Sequence, residues 1–427
     1  MKLEKWTLGL ATLGLVSLTP SLLAQASNTV PQLVPIQTAL TATTISGYVD
    51  TSAVWNPGTG NANPAPYAFN AGKQDGFNLD AADVKIAKAV DEGQWGAGYV
   101  FELSYGPDAQ AIDAGAYPIR QAYVDLRVPV GNGIDFELGR WDNIIGYESS
   151  DSYKDPNYTR SYGYSFEPTE HTGLLASYKF NDSINLQAGV ADMVNTFGGI
   201  NNRTDPGSST IESKKSVVTL LTLTAPDSWG SFKGSSLYGG FDYGQGNSGG
   251  ANGIDSSTGH DRQEMYVGAT INTPVKDLTF GASWDWIHHY DVVLGSGGTY
   301  SAQYVDSVAG YVSYKATDKL TLSGRAEYAN GPGLTALLYA DDGEAPNALG
   351  EGGPFNKVLA LTGTIQYDLW ANVIARLEVR WDHAADGTHP FGGTESTVVS
   401  DGETISGPIT GLKSNELMVA ANVIYKF

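Results

Sequence analysis

Cysteine is absent from this chain of 427 residues, which excludes disulfide scaffolds, thiolate zinc sites and cysteine nucleophiles together. Basic residues are scarce. Against 46 Asp+Glu stand 25 Lys+Arg, a formal charge of -21, so the chain offers no broad basic face to a nucleic-acid backbone. Long hydrophobic runs are also missing: beyond the N-terminal segment no stretch reaches the roughly 18 consecutive apolar residues of a membrane helix. A membrane role would therefore need strands. What is present is 52 Gly, 24 Tyr and a hydrophobic share of 41%, too apolar and aromatic for a disordered chain despite its charge.

The N-terminus is built for export. Lys2 and Lys5 precede the apolar run Leu8 to Val16, and Ala24-Gln25-Ala26 has the small-x-small form of a cleavage site. Residues 1–26 are therefore expected to be a cleaved signal peptide, with 27–43 a periplasmic lead-in and 44–427 one barrel domain. The lead-in is too short for a lumen-filling plug.

Beyond it, alternation with period two recurs in segment after segment. Ala122, Val124, Leu126 and Val128 point one way, and Gln121, Tyr123, Asp125 and Arg127 the other, because successive side chains leave opposite faces of a strand. Leu417, Val419, Ala421, Val423, Tyr425 and Phe427 repeat the pattern at the end of the chain. About 16 such strands can be counted.

Connections settle the architecture better than strands do. Short turns at residues 92–95, 131–133, 181–183, 225–234, 273–277, 317–319 and 368–372 alternate with long polar, Gly-rich stretches at 56–76, 106–117, 146–169, 195–214, 245–261, 290–299, 330–356 and 384–411. Short turns at one end and long loops at the other describe an all-β, antiparallel, up-and-down transmembrane barrel. Trp95, Trp229 and Trp370 fall in short turns, and Trp55, Trp141, Trp284, Trp286 and Trp381 near strand ends, where indole rings favour the membrane-water interface.

Three stretches carry a family likeness: Ile119-Arg120-Gln121-Ala122-Tyr123-Val124, Val128-Pro129-Val130-Gly131-Asn132-Gly133 and Leu138-Gly139-Arg140-Trp141-Asp142. With Ile145 to Glu148, Asn157 to Ser161 and His171-Thr172-Gly173, they resemble the outer-membrane β-barrel porins of the OmpL-like porin-2 group. That resemblance implies a porin and names no solute.

In a barrel of this size, the strand face opposite the lipid lines the lumen. The expected pore-lining residues are Glu102, Asp125, Arg127, Arg325, Glu327, Arg376, Glu378, Arg380 and Asp382. They either form a solvated wall of cross-strand pairs or set Arg325, Arg376 and Arg380 against carboxylates across a constriction. The stretch Gly146 to Thr169 would be the third external loop. It carries Glu148, Asp151, Asp155 and Glu167 with Lys154 and Arg160, interleaved with Tyr147, Tyr153, Tyr158, Tyr162 and Tyr164. Either it folds inward as the constriction, with tyrosines to stack on sugar rings, or it packs outside against its neighbours.

Other motifs carry less. His288 and His289 are adjacent on a strand and point to opposite faces, which disfavours a shared metal. Asp341-Asp342-Gly343-Glu344 lacks the spaced oxygens of a calcium loop. No serine elbow, zinc-protease motif or phosphate-binding loop appears. No cofactor, metal or catalytic residue is assigned. The expectation is a bacterial outer-membrane porin for passive diffusion of small hydrophilic solutes or ions. The alternatives are a barrel enzyme hydrolysing lipid or peptide and a structural or adhesive barrel. Its partners would be outer-membrane lipid and the barrel-assembly machinery, with oligomeric state open, a homotrimer included. The acidic balance leans towards cations, with neutral sugars an equal option.

Overall fold

The computed structural model describes residues 42–58, 60–65, 73–91, 94–112, 118–194, 215–245, 261–289, 292–294, 298–300, 303–332, 334, 355–400 and 403–427. The export segment, nearly all of the lead-in and the acidic turn at 341–344 lie outside them.

Among the described residues there are twenty strands, in chain order β1 (Thr43–Trp55), β2 (Gly76–Lys88), β3 (Gly96–Tyr105), β4 (Ile119–Val128), β5 (Ile134–Asp142), β6 (Glu170–Asn181), β7 (Ile184–Ala191), β8 (Ser216–Thr224), β9 (Ser236–Gln245), β10 (Asp261–Asn272), β11 (Leu278–His289), β12 (Val292–Leu294), β13 (Gly298–Tyr300), β14 (Gln303–Lys315), β15 (Leu320–Asn330), β16 (Lys357–Trp370), β17 (Val373–Ala384), β18 (Phe391–Ser400), β19 (Glu403–Lys413) and β20 (Asn415–Lys426). Sixteen of them close into one antiparallel barrel. The other four form two hairpins, β12-β13 and β18-β19, within the long connections. A helix α1 (Pro107–Ile112) and a helix α2 (Tyr162–Phe166) sit in two other long connections.

The short turns and long loops alternate as the turn chemistry requires, and each of the seven short turns joins adjacent barrel strands. Closure comes from β1 against β20, with Tyr48 opposite Lys426. Gly47 and Phe427 then exchange backbone hydrogen bonds of 3.0 Å in both directions. With no edge left in the ring, each of its sixteen strands can sit in hydrocarbon with its backbone paired.

Alternation sorts the faces. On β20, Leu417, Val423 and Tyr425 are exposed, while Glu416, Met418, Ala420, Asn422 and Ile424 are buried inside. Exposed aromatics gather at both rims: Trp55, Phe77, Tyr105, Tyr243, Tyr304 and Tyr328 at the loop end, and Trp95, Trp229, Tyr314, Tyr367, Trp370, Tyr425 and Phe427 at the turn end. Two such girdles bracket an apolar band. Trp141 departs from that expectation. It lies inside the barrel, packed with Ile145, Leu175, Val218 and Tyr266.

Two bulges matter for the interior, since an extra residue re-aims its neighbours. Between β3 and β4 the register slips at Arg120, and both Arg120 and Gln121 turn inward. Between β1 and β2 it slips at Asp80, so that Asp80 and Ala81 are both buried.

Candidate functional site: the loop in the lumen

The connection from Asn143 to Thr169 enters the barrel and crosses it. An irregular segment inside a protein must find a partner for each backbone N–H and C=O. The wall supplies them. Arg325 donates to the carbonyls of Thr159 at 2.8 Å and Arg160 at 3.0 Å, and to the Glu148 carboxylate at 2.8 Å. Arg376 donates to the carbonyls of Ser152 at 2.9 Å and Asp155 at 2.7 Å. Arg380 reaches the Arg160 carbonyl at 2.6 Å.

Acidic wall residues take the opposite groups. The Glu378 carboxylate accepts from the backbone N–H of Tyr158 at 2.5 Å and of Thr159 at 2.9 Å, and from the Thr159 hydroxyl at 2.7 Å. Glu327 accepts from the Tyr162 N–H at 2.6 Å, and Asp382 from the Tyr162 hydroxyl at 2.8 Å. Residues at i and i+2 on a strand share a face. The runs Arg325/Glu327 and Arg376/Glu378/Arg380/Asp382 are thus strips of alternating donors and acceptors. Guanidinium forks suit paired carbonyls as well as carboxylates.

This placement corrects the picture of an arginine cluster facing carboxylates across water. Arg325, Glu327, Arg376, Glu378, Arg380 and Asp382 all point inward, but the loop covers them and none is more than 3% exposed. Tyr158, Tyr162 and Tyr164 are likewise buried, so their rings cannot stack on a passing sugar. The Tyr162 ring instead lies beneath the Arg380 guanidinium, 5.0 Å from its centre, and Tyr164 beneath Arg160 at 5.5 Å.

Two glycines allow the loop's path. Gly146 has φ +120°, and a Cβ there would collide with the Glu167 carboxyl. A Cβ on Gly163 would lie 2.5 Å from Asp285 Oδ2 on β11. The loop also has its own charge chemistry. Burial alone would raise the Asp151 carboxyl, but Arg120 and Lys154 beside it hold it below the usual carboxylate range. Asp155 is pushed up to about 7 by burial, against the pull of Arg160. Burial, with Asp285 and Glu264 close by, raises Glu167 well above its ordinary value.

Across from the covered wall, inward groups stay partly open: Lys85 on β2, Tyr123 and Asp125 on β4, Glu137 on β5, Tyr238 on β9, and Tyr147, Tyr153 and Lys154 of the loop. Asp125 stands directly opposite Glu137 in the β4–β5 register. Arg127 pairs with Asp135 at 2.7 Å. Glu102 is buried, gathering Lys85 at 3.0 Å, Arg120 at 2.9 Å and Gln121 at 2.6 Å. Arg120 also bonds Asp151 at 2.5 Å and Asp142 at 2.8 Å, tying the loop to the β4–β5 wall.

Sequence reasoning missed Arg120, Glu137, Arg262 of β10, which donates to the Phe166 carbonyl of the loop, and Asp285 of β11 beside Gly163. Strict alternation sets Arg120 among the lipid-facing Ala122 and Val124, and an arginine there is itself the signal of a bulge. Glu137 was legible from Asp135-Phe136-Glu137-Leu138. Among the described residues, no group of three or more His, Asp or Glu side chains is arranged to hold a metal. His288 stacks on Trp286, ring centres 5.6 Å apart.

A family model described as "Putative beta-barrel porin-2, OmpL-like" matches residues 42–423. The chain belongs to this porin family. Solved structures of the same fold include an anion-selective porin from Comamonas acidovorans, with TM-score 0.56, 12% identity, and coverage of 90% of this chain and 99% of that one. OmpF of Salmonella typhi in complex with daunomycin gives TM-score 0.56 at 12% identity, covering 90% and 97%. The trimer form of OmpT from Vibrio cholerae gives 0.55 at 12%, covering 90% and 99%. No curated protein matches. The porin is an outer-membrane channel for passive diffusion.

Proposed function

We propose that this porin passes small hydrophilic solutes and ions along a path between the inward loop 143–169 and the β2–β9 wall, and that it favours cations over anions. One observation carries the proposal. The arginines of β15 and β17 are engaged with the loop's carbonyls, while the opposite wall leaves Asp125, Glu137 and Asp135 against Lys85 and Arg127. A water-filled path takes its selectivity from charges within a Debye length, not from total charge. The open loop residues Tyr147 and Tyr153 give that path an aromatic rim suited to neutral polar solutes as well.

The mature protein on this proposal begins after Ala26, and residues 27–43 stay on the periplasmic side. Transport is passive and no reaction is assigned. A homotrimer is the proposed assembly, in keeping with the trimer form named for the Vibrio cholerae protein.

Planar-bilayer recording of the refolded protein in a KCl gradient tests the proposal. The reversal potential is expected to have the sign of cation preference. Exchanging Asp125→Asn and Glu137→Gln together is expected to move it towards zero. An anion-selective wild type, or a double variant that leaves the potential unchanged, would refute the assignment.

A further inference from the structure

Behind the loop, on the side of β1, β2 and β20, lies a group of buried oxygens poorly supplied with donors among the described residues. The β1–β2 bulge turns Asp80 inward beside Asp50, and both carboxylates are fully buried. Asp50 Oδ1 accepts from the Asn422 side-chain N–H at 3.0 Å, and Asp50 Oδ2 has no well-formed hydrogen bond, with the Ser152 hydroxyl beside the carboxylate. Asp80 Oδ1 is served by Lys73 at 2.7 Å, by the Ser52 hydroxyl at 3.0 Å and by the Tyr158 hydroxyl at 3.3 Å, and Asp80 Oδ2 has none. The side-chain oxygens of Asn422, Ser152 and Asn157, all buried and from the adjoining strand and loop, are also unsatisfied.

The composition of this group is informative. A water shell would be expected to meet a mixture of unpaired donors and acceptors, and here four of the five atoms are carboxylate or amide oxygens that only accept, the fifth being the Ser152 hydroxyl. Charge points the same way. Among the described residues Asp80 shares its one ion-paired cation, Lys73, with Asp108, and Asp50 forms no ion pair.

We propose that a single divalent cation of the calcium type is held between Asp50 and Asp80, with Asn422 and Ser152 as neutral oxygen ligands. Carboxylate, amide and hydroxyl oxygens are the ligands of a hard cation, and two carboxylates balance its charge. The ion would enter as the barrel folds, because neither carboxylate is reachable afterwards. It would join the closing strands to the loop, since Ser152 belongs to the loop and Tyr158 is bonded to Asp80.

The test is to refold the mature chain in detergent from metal-stripped denaturant, with CaCl₂ or with EDTA. Both samples are then washed briefly in EDTA, and calcium is measured per barrel by atomic emission. One calcium per chain is expected in the first sample and none in the second, with a higher melting temperature in the first. Asp50→Asn combined with Asp80→Asn is expected to lose both the metal and the calcium-dependent rise in melting. Should that double variant fail to fold, Asn422→Ala decides, with reduced calcium retention expected. Wild type without calcium overturns the proposal. So does retention that is equal in wild type and variant, the mark of an adventitious ion on the acidic loops.

Discussion

Two walls of one lumen are built from the same residue types and used in different ways. On β15–β17, arginines and carboxylates alternate along the strand, and the loop lies across them with its backbone as their partner. On β4–β5, Asp125 faces Glu137 and Arg127 pairs with Asp135, with part of each left open. What separates them is whether an irregular backbone has been laid on top. A charged strip under a loop acts as a receptor for peptide groups; the same strip without one is a surface for solutes.

The largest expected effect comes from removing the covering. Deleting Asp151 to Ser161 should raise single-channel conductance several-fold and widen the size cutoff in liposome swelling, because it uncovers Arg325, Arg376 and Arg380. An unchanged conductance would erase the distinction between the walls. A smaller effect separates them by stability. Arg380→Met leaves Asp382 without its cation in a buried site, and breaking such a pair from one side costs about 3–5 kcal/mol. Glu137→Gln on the half-open wall, where the carboxylate faces Asp125 and not a cation, should cost less, about 1 kcal/mol or under. Thermal or denaturant unfolding in detergent compares the two, and equal losses would contradict the contrast.

The smallest effect is pH dependence confined to the loop. Asp155, raised to about 7 by burial despite Arg160, binds its proton more tightly folded than unfolded. Its contribution is therefore complete below the usual carboxylate range and is lost as pH rises through about 7. Asp151, held low once Arg120 and Lys154 outweigh its burial, contributes above that range and loses its effect in acid. Current noise should grow from pH 5 to pH 8, and Asp155→Asn should flatten the rise. Noise independent of pH in the wild type would count against it.

Most of the barrel was legible because its two signals are local. Alternation sets the faces, and turn residues mark the strand ends. The loop was legible as a segment; Asp151, Asp155, Arg160, Tyr162 and Glu167 are buried, and Glu148 pairs with Arg325. Its partners were not, since Arg325 meets Thr159 across 166 residues, and nothing in either stretch names the other. Arg120 and Asp80 were lost for a different reason. Each sits at a register slip, and a period-two count has no term for an extra residue. The hairpins β12-β13 and β18-β19 were hidden within Gly-rich connections.

The seam between β1 and β20 has a kinetic meaning as well as a structural one. Thr51 donates to the carbonyl of Val423, 372 residues away, so the contact that completes the ring is also among the most distant in sequence. Until β20 is made, both terminal strands carry unpaired edges, and loop closure over that length must be met before any reward arrives. A chain that stops short of this seam keeps two open edges at once, so the last strand completes the ring and removes the edges in one step.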